Sequence, residues 1–388
     1  MSLVFYVVQE NNMNRPKPKV SILMCVYNGE AYLQEAVDSI LQQTFPDFEF
    51  VIVDDGSTDS SWQILTKYSK QDSRIVLISN AENLGLEKSL NKGLATVKGK
   101  YIARQDADDV SLPNRLQLQV DFLDAHPEVG ALGSSIEFID RESLVLRQLE
   151  VATDHDSIEA LLLVNNCLWH SSMMMRRHLL QELAGYNENM LHAEDYDLWW
   201  RISRHSRLAN LPDILLQYRQ DNVSAISKLK RQQQLECAQK ISLRAVQESL
   251  PKTALNIDKL AYERFWWAYL GLIDPQSYQK CWYSDRGKSE LLRWQDIRQL
   301  QPFWDLLANH PAGAKIWGSR LYELVLYCLR IRQTSTGLYL LWVGWRQLQM
   351  PISWSIVFRS STKPYLPNFF HRLWRIKQQK QQKPLFSN

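Results

Sequence analysis

The sequence contains few cysteines, and their arrangement does not suit a metal site or a redox pair. Only five of the 388 residues are Cys, they are scattered along the chain, and no two have the CxxC spacing. A small disulfide-stapled secreted domain would carry many closely spaced cysteines, so this class is excluded. We therefore expect a reduced, cytoplasmic protein.

Long apolar runs are also missing. No uncharged apolar stretch reaches the ~18 residues that a membrane-spanning helix needs. The N-terminal stretch MSLVFYVVQE has no basic flank and no small-residue cleavage site, so we do not expect it to be a signal peptide. With 45% hydrophobic and 22% charged residues, the composition is typical of a globular protein.

Acidic residues are absent from the C-terminal part of the chain. No Asp or Glu follows Glu323, whereas residues 324–388 carry ten Lys or Arg. Together with the Trp-rich and Leu-rich stretch from Gly337 to Phe358, this pattern has two interpretations. It is an amphipathic surface that lies on anionic lipid, or a helical domain with a solvated basic end. No nucleic-acid-binding module is recognisable, so no nucleic-acid partner is expected.

Apolar strands and amphipathic helices alternate in the first part of the sequence. This alternation predicts an α/β fold with a mostly parallel sheet flanked by helices, followed by a mainly helical C-terminal region. We expect an N-terminal extension (1–16), an α/β domain (17–235), a helical domain (236–375) and a basic flexible tail (376–388). Locally, we expect Ser111 to cap a helix and residues 167–175 to form a strand.

Polar, turn-rich segments follow three of the predicted strands. They are Tyr27-Asn28-Gly29, Asp54-Asp55-Gly56-Ser57 and Asp106-Ala107-Asp108-Asp109. In parallel sheets ligands bind beyond the carboxyl ends of the strands, so all three segments should lie along one binding rim.

The third segment places three carboxylates within four positions. Such close negative charges repel one another unless a cation lies between them. Asp106 and Asp108 occupy alternate positions, so both can face a Mg²⁺ or Mn²⁺ ion that also binds phosphate oxygens. A solvated turn is the alternative for an isolated Asp-x-Asp, but the position after a buried strand favours the metal.

The other two segments have simpler alternatives. Asp55 either belongs to an ordinary turn or accepts hydrogen bonds from a base or a ribose. Tyr27 either covers the sheet edge or stacks on a base, a contact of about 1–3 kcal/mol in nucleic-acid sites.

A second acidic cluster, Glu194-Asp195-Tyr196-Asp197, precedes Leu198-Trp199-Trp200. An acid-rich surface helix is one interpretation. The neighbouring aromatic residues favour partly desolvated, more basic carboxylates, which suit a general base. His170 is either a buried core histidine or a member of the site.

Residues 17–135 closely resemble the nucleotide-binding half of the family 2 glycosyltransferases, which have the GT-A fold. The matching stretches are Val20 to Gly29, Ser39 to Thr44, Val53 to Asp59, Asn83 to Gly85, Asn91 to Gly93 and Ala103 to Asp109. A looser similarity continues to about residue 220 through His170 to Met173 and Glu194-Asp195, so residues 136–235 correspond to the acceptor half.

The resemblance implies an inverting glycosyltransferase that uses a nucleotide sugar, with a UDP-sugar as the expected donor, and a glycan or lipid-linked glycan acceptor. Its implied sites are Tyr27, Asn28 and Asp55 for the nucleotide, Asp106 and Asp108 for the metal, and Asp195 as the base. His170, Glu194 and Trp199 would contact the acceptor or support the site. The implied location is the cytoplasm, peripherally on the inner face of the membrane.

Two rival functions follow from the same residues. The chain is a non-catalytic nucleotide-sugar-binding or scaffolding subunit, or it is a nucleotidyltransferase of related fold. Intact Asp106, Asp108 and Asp195 argue against the first, and release of diphosphate rather than nucleoside diphosphate would identify the second.

Overall fold

The computed structural model describes residues 6–7, 17–220, 230–251, 257–273, 292–330 and 334–347. In these residues ten strands form one sheet. The strands are β1 Tyr6–Val7, β2 Val20–Val26, β3 Phe48–Asp54, β4 Ile75–Ser79, β5 Tyr101–Asp106, β6 Val110–Ser111, β7 Val129–Ile139, β8 Val145–Leu149, β9 Met174–Arg176 and β10 Arg207–Arg219.

The helices fall into two groups along the chain. Those that connect or follow the strands are α1 Leu33–Leu41, α2 Ser61–Gln71, α3 Leu86–Leu94, α4 Arg115–Ala125, α5 His155–Leu162, α6 Arg177–Glu182 and α7 Glu194–Ser203. Those after the last strand are α8 Arg231–Ser249, α9 Lys259–Ile273, α10 Trp294–Gln299, α11 Gln301–Asn309, α12 Gly313–Arg330 and α13 Thr334–Gln347.

The strand order is β1-β4-β3-β2-β5-β9-β7-β10-β6, and β8 pairs with β7. The longest ladders are parallel: β2 pairs with β3 and β5, β3 with β4, and β7 with β10. The short strand β9 runs antiparallel between β5 and β7 and joins the two parallel parts. The predicted α/β fold, with a mostly parallel sheet flanked by helices, is confirmed.

Alternating side chains of the strands enter two separate cores. In β2, Ile22 and Met24 pack into one core and Leu23 into the other, as the two-residue period of a strand requires. The helices after β10 share the second core with the sheet. The indole N–H of Trp266 donates to the Val164 carbonyl at 2.7 Å, and that of Trp317 donates to the Ala160 carbonyl at 2.9 Å.

The described part of the C-terminal region is helical, as predicted. Helix α8 runs without interruption across the expected boundary between residues 235 and 236, and the domain limits stay a prediction. Tyr6–Val7, within the expected N-terminal extension, pairs with β4 as an edge strand. The expected tail at 376–388 lies outside the described residues. None of the described helices combines the length and the apolarity that crossing a membrane requires.

Two local expectations are wrong. Ser111 belongs to β6 rather than to a helix cap, because its hydroxyl donates to Gln105 at 2.6 Å and its backbone pairs with β10. Residues 167–175 are not one strand. A 3₁₀ turn at His170–Ser172 interrupts them, because the Ser171 hydroxyl turns towards Asp106, and β9 begins only at Met174.

Trp266 tests whether the C-terminal helices and the sheet form one cooperative unit. Trp266 is 1% exposed, so its replacement by Ala removes a large buried ring and the bond to Val164. We expect the free energy of unfolding to fall by about 3–5 kcal/mol. Trp294→Ala, at a position 39% exposed, is the control and should cost far less. If denaturant melts showed the same loss in free energy of unfolding for Trp266→Ala and Trp294→Ala, this packing would be contradicted.

Candidate active site

The loops after β2 and β3 are bound to each other by hydrogen bonds. The Asn28 side-chain oxygen accepts from the Thr58 amide at 2.8 Å, and the Asn28 amide donates to the Ser57 hydroxyl at 3.0 Å. Asn28 has a φ of 51°, a left-handed conformation that Asn tolerates better than most residues. Tyr27 beside it is 50% exposed. The structure thus presents the Tyr27 ring to solvent on a fixed loop.

Asp55 is buried beneath the loop that precedes α3. Its carboxylate accepts from the Asn80 side chain at 2.7 Å and from the Leu84 and Gly85 amides at 2.8 and 3.0 Å. Gly85 has a φ of 95°, which a side chain would strain. Asp55 therefore fixes the shape of this loop, and its predicted contact with a base stays a prediction.

Asp106 ends β5 and is held by two neighbours. Its carboxylate accepts from the guanidinium of Arg104, which is fully buried, and from the Ser171 hydroxyl. Burial raises the pKa of Asp106, but the charge of Arg104 and the hydrogen bonds from Ser171 and Arg104 outweigh burial and lower this pKa below its usual value. Asp106 is therefore ionised and fixed in place.

Arg219, at the end of β10, holds the rest of the acidic turn. Its amide donates to Asp109 Oδ1 at 2.9 Å and its Nε donates to the Asp108 carbonyl at 2.9 Å. The same guanidinium pairs with Glu35 at 2.6 Å and bonds the Asp140 carbonyl at 2.7 Å. Arg219 was not among the residues predicted for the site, because nothing in a single sequence links two residues 110 positions apart.

Asp109 has the least satisfied carboxylate of the turn. Its Oδ2 atom is buried and has no hydrogen-bond partner. Burial and the neighbouring charges of Asp108 and Asp106 raise its pKa well above the usual value. A buried acceptor without a donor, beside two further carboxylates, fits a cation in this turn.

The residues around the turn fit a metal that keeps water and phosphate ligands. Among the described residues, no three His, Cys, Asp or Glu side chains are arranged to enclose an ion. Mg²⁺ commonly takes only one or two protein carboxylates and completes its shell with water and phosphate oxygens. Asp106, Asp108 and Asp109 are the carboxylates that such an ion could use, and Asp106 among them also accepts from Arg104 and Ser171.

Asp195 lies in the first turn of α7. Its carboxylate accepts from the Asn166 side chain at 2.8 Å and from the Tyr196 amide at 2.6 Å. Burial raises the pKa of Asp195 to about 6, and the charge of Asp106 adds to this rise in pKa against the lowering effect of these bonds. Asp195 and the acidic turn are therefore close enough to interact electrostatically.

The three residues predicted to contact the acceptor or support the site, His170, Glu194 and Trp199, lie close to one another. His170 Nε2 is 2.8 Å from the Tyr186 hydroxyl, and its Nδ1 is 3.9 Å from Glu194. Burial, together with Arg104, lowers the pKa of His170 to about 3, so its ring is neutral. Trp199 is fully buried, with its ring centroid 5.8 Å from that of His170, and its predicted role in supporting the site stays a prediction.

Three aromatic rings next to the carboxylates were not predicted. Trp169 and Tyr218 have ring centroids 4.8 Å apart, and both contact Phe138. Burial raises the pKa of Tyr218, and the carboxylates of Asp109, Asp108, Asp106 and Asp195 raise this pKa further. Tyr218 directly precedes Arg219, whose backbone amide donates to Asp109 in the acidic turn.

A separate basic depression of about 350 Å³ lies before the strands rather than after them. It is lined by Lys17, Pro18, Lys19, Asp47, Lys98, Lys100, Arg177 and His178. Because these residues precede β2, β3 and β5 or follow β9, the depression is at the opposite end of the sheet from the acidic turn.

Asp109→Asn tests whether the turn carries uncompensated negative charge. The amide keeps an oxygen for the Arg219 N–H and offers donors to the neighbouring carboxylates. Without divalent ions, we expect the free energy of unfolding to rise, on the order of 1–3 kcal/mol. With Mn²⁺ the wild-type protein should gain more stability than the variant. A variant destabilised in both conditions would show that Asp109 is satisfied in the free protein.

The chain matches the family model described as Glycosyl transferase family 2 over residues 21–184. It is 35% identical over 249 residues to an uncharacterized glycosyltransferase of Haemophilus influenzae, covering 62% of this chain and 77% of the relative. It is 33% identical to the Escherichia coli O-antigen biosynthesis glycosyltransferase WbnJ, over 53% of this chain and 81% of that protein.

The fold is also similar to that of Staphylococcus aureus TarS. For TarS residues 1–349 in complex with UDP-GlcNAc, the TM-score is 0.54 at 18% identity, over 84% of this chain and 90% of that one. The likeness shows a shared GT-A fold, as the sequence predicted. The sequence matches agree with this fold and are long and similar enough to show the family. The chain belongs to the family 2 glycosyltransferases.

Proposed function

We propose that the protein is an inverting glycosyltransferase that moves a sugar from a nucleotide-sugar donor to a hydroxyl of a glycan or lipid-linked glycan. One observation carries the proposal: a single short segment holds both acidic groups, because Asn166 donates to the Asp195 carboxylate and Ser171 donates to Asp106 in the acidic turn at the end of β5. A base and a diphosphate-binding group are the two parts that such a transfer needs.

The names of similar proteins support the nature of both substrates. TarS has been solved with UDP and with UDP-GlcNAc, which favours a UDP-sugar as the donor here. WbnJ is named for O-antigen biosynthesis and AmsE of Erwinia amylovora for amylovoran biosynthesis, which favours a role in polysaccharide assembly. A lipid-linked acceptor would place the enzyme at the inner face of the membrane.

The donor would lie along the rim formed by the loops after β2, β3 and β5. Tyr27 would stack on the base, with Asn28 and Asp55 shaping and lining its pocket. Asp108 and Asp109, with Asp106 beside them, would hold Mg²⁺ or Mn²⁺. The metal would neutralise the developing charge of the diphosphate leaving group.

Asp195 would act on the acceptor. It removes the proton from the attacking hydroxyl while that oxygen bonds to the anomeric carbon from the face opposite the diphosphate. The bond from the anomeric carbon to the diphosphate oxygen breaks, the nucleoside diphosphate leaves, and the configuration inverts, as in inverting glycoside hydrolysis with a sugar hydroxyl in place of water. A base with a pKa near 6 is ionised at neutral pH and still basic enough for this step.

Asp108→Asn tests the proposed role of the acidic turn in binding the metal and the donor nucleotide. We expect the affinity for UDP in the presence of Mn²⁺ to fall about tenfold or more, because one charged metal ligand is lost. Asp213→Asn, at an exposed position of β10, is the matched control and should bind UDP as the wild type does. Unchanged Mn²⁺-dependent UDP binding by Asp108→Asn in calorimetry would refute the metal role.

Asp195→Asn tests the proposed role of Asp195 as the base that acts on the acceptor hydroxyl. We expect kcat for sugar transfer to fall by about 10²–10⁴, the usual contribution of a general base, while UDP binding is unchanged. Loss of UDP binding in this variant would show that the division of labour is wrong. Product analysis should show release of the nucleoside diphosphate, whereas release of diphosphate would identify a nucleotidyltransferase.

The pH profile of the wild type gives an independent check. Because Asp195 acts in its ionised form and has a pKa near 6, the rate should fall as the pH decreases through about 6. The residual activity of Asp195→Asn should not show this fall in rate at low pH. A wild-type rate that stays constant from pH 7.5 to pH 5 would contradict the assignment of the base.

A further inference from the structure

The three aromatic rings near the carboxylates form the inner end of a surface that continues away from the cleft. Trp169 adjoins His170 and Ser171, which contact the acidic site, and Tyr218 adjoins Arg219. Trp169 and Tyr218 are both partly exposed. Their ring centroids are 5.3 and 5.8 Å from the ring centroid of Phe138. Rings of this kind stack on the apolar faces of sugars. Asn166, three residues before Trp169, donates to Asp195, so an acceptor sugar placed here would lie on the segment that also holds the proposed base.

Arg147 stands next to these rings on the neighbouring strand. It pairs with Phe138 across the β7–β8 ladder, and its guanidinium carbon is 3.7 Å from the Phe138 ring centroid. The side chain is exposed, and among the described residues no carboxylate forms an ion pair with it. Arg147 is thus a fixed, uncompensated cation at the outer side of the aromatic rings.

Beyond Arg147, the hairpin between β7 and β8 exposes three consecutive apolar residues. Leu144, Val145 and Leu146 are 64%, 52% and 51% exposed. The turn that carries them is anchored, because the Ser143 hydroxyl bonds Glu35 at 2.8 Å and Arg219 holds the Asp140 carbonyl. An exposed apolar segment on a rigid support is typical of an interaction surface.

We propose that this surface docks a lipid-linked acceptor whose sugar is joined through phosphate to a hydrocarbon chain. The sugar lies on Trp169 and Tyr218, the phosphate on Arg147, and the start of the hydrocarbon chain on Leu144 to Leu146. The order of surface chemistries, aromatic, cationic and apolar, matches the order of groups in such a molecule. The inference rests on the proposed glycosyl transfer and specifies its acceptor.

The charges of the hairpin favour a single lipid phosphate over a bilayer surface. Recognition of an anionic membrane by charge uses clusters of about 4–8 Lys or Arg. Here Arg141 and Arg147 are accompanied by the exposed Glu142. One unpaired guanidinium suits the bidentate recognition of one phosphate group.

The full-length protein can be tested with farnesyl phosphate as the probe and farnesol as its uncharged counterpart, by calorimetry below their aggregation limits. We expect Arg147→Gln to weaken farnesyl phosphate binding about tenfold and to leave farnesol binding unchanged. Leu146→Ser should weaken both. Arg298→Gln, an exposed position on α10, is the control, and unaltered melting curves would exclude unfolding.

Equal binding of farnesyl phosphate by the wild type and Arg147→Gln would overturn the proposal. So would binding to phosphatidylglycerol vesicles that depends on Leu146 and is not competed by farnesyl phosphate, since the hairpin would then dock a membrane. UDP binding, measured on the same samples, reports on the donor site alone. If the wild-type protein did not bind UDP, the proposed function would be contradicted. The farnesyl phosphate measurements would still test the hairpin by themselves.

Discussion

The repulsion among the carboxylates at the end of β5 is the constraint on which the rest of the site depends. Two arginines oppose it: the guanidinium of Arg104 pairs with Asp106, whereas Arg219 donates its backbone amide to the Asp109 carboxylate and its Nε to the Asp108 carbonyl. A buried charge is tolerated only when it is paired. The two arginines therefore fix the shape of the turn but leave Asp109 Oδ2 without a partner. The protein supplies an acidic turn that is ordered before any cation binds.

The same contacts join the two halves of the domain. Arg219 ends the last strand, and Ser171 lies in the 3₁₀ turn before β9, yet both hold the acidic turn that follows β5. Asp195 and Tyr218 belong to the second half and are close enough to the turn for its charges to raise the pKa of each. The acidic turn and Asp195 are thus held by one segment of the chain, because Ser171 bonds Asp106 and Asn166 bonds Asp195.

Residues that a local sequence pattern marks were predictable. Residues that reach the site only through contacts between distant parts of the chain were not. Hydrophobic runs followed by polar turns located β2, β3 and β5 and the rim that contains Asp55 and Asp106. Arg219 lies 110 residues from Asp109, which it contacts, and no periodicity connects the two. The interruption of the expected strand at 167–175 has the same origin, because Ser171 turns towards Asp106 only in the folded chain.

The central claim is that the acidic turn and Asp195 face one cation-binding and diphosphate-binding cleft. Anomalous diffraction from crystals of the protein grown with Mn²⁺ and UDP tests it most directly. The account predicts one manganese peak beside Asp108 and Asp109, bridged to the diphosphate, with Asp195 on the open side of the diphosphate. A manganese–UDP complex bound away from this turn, or an Asp195 side chain separated from the diphosphate by protein, would contradict the account.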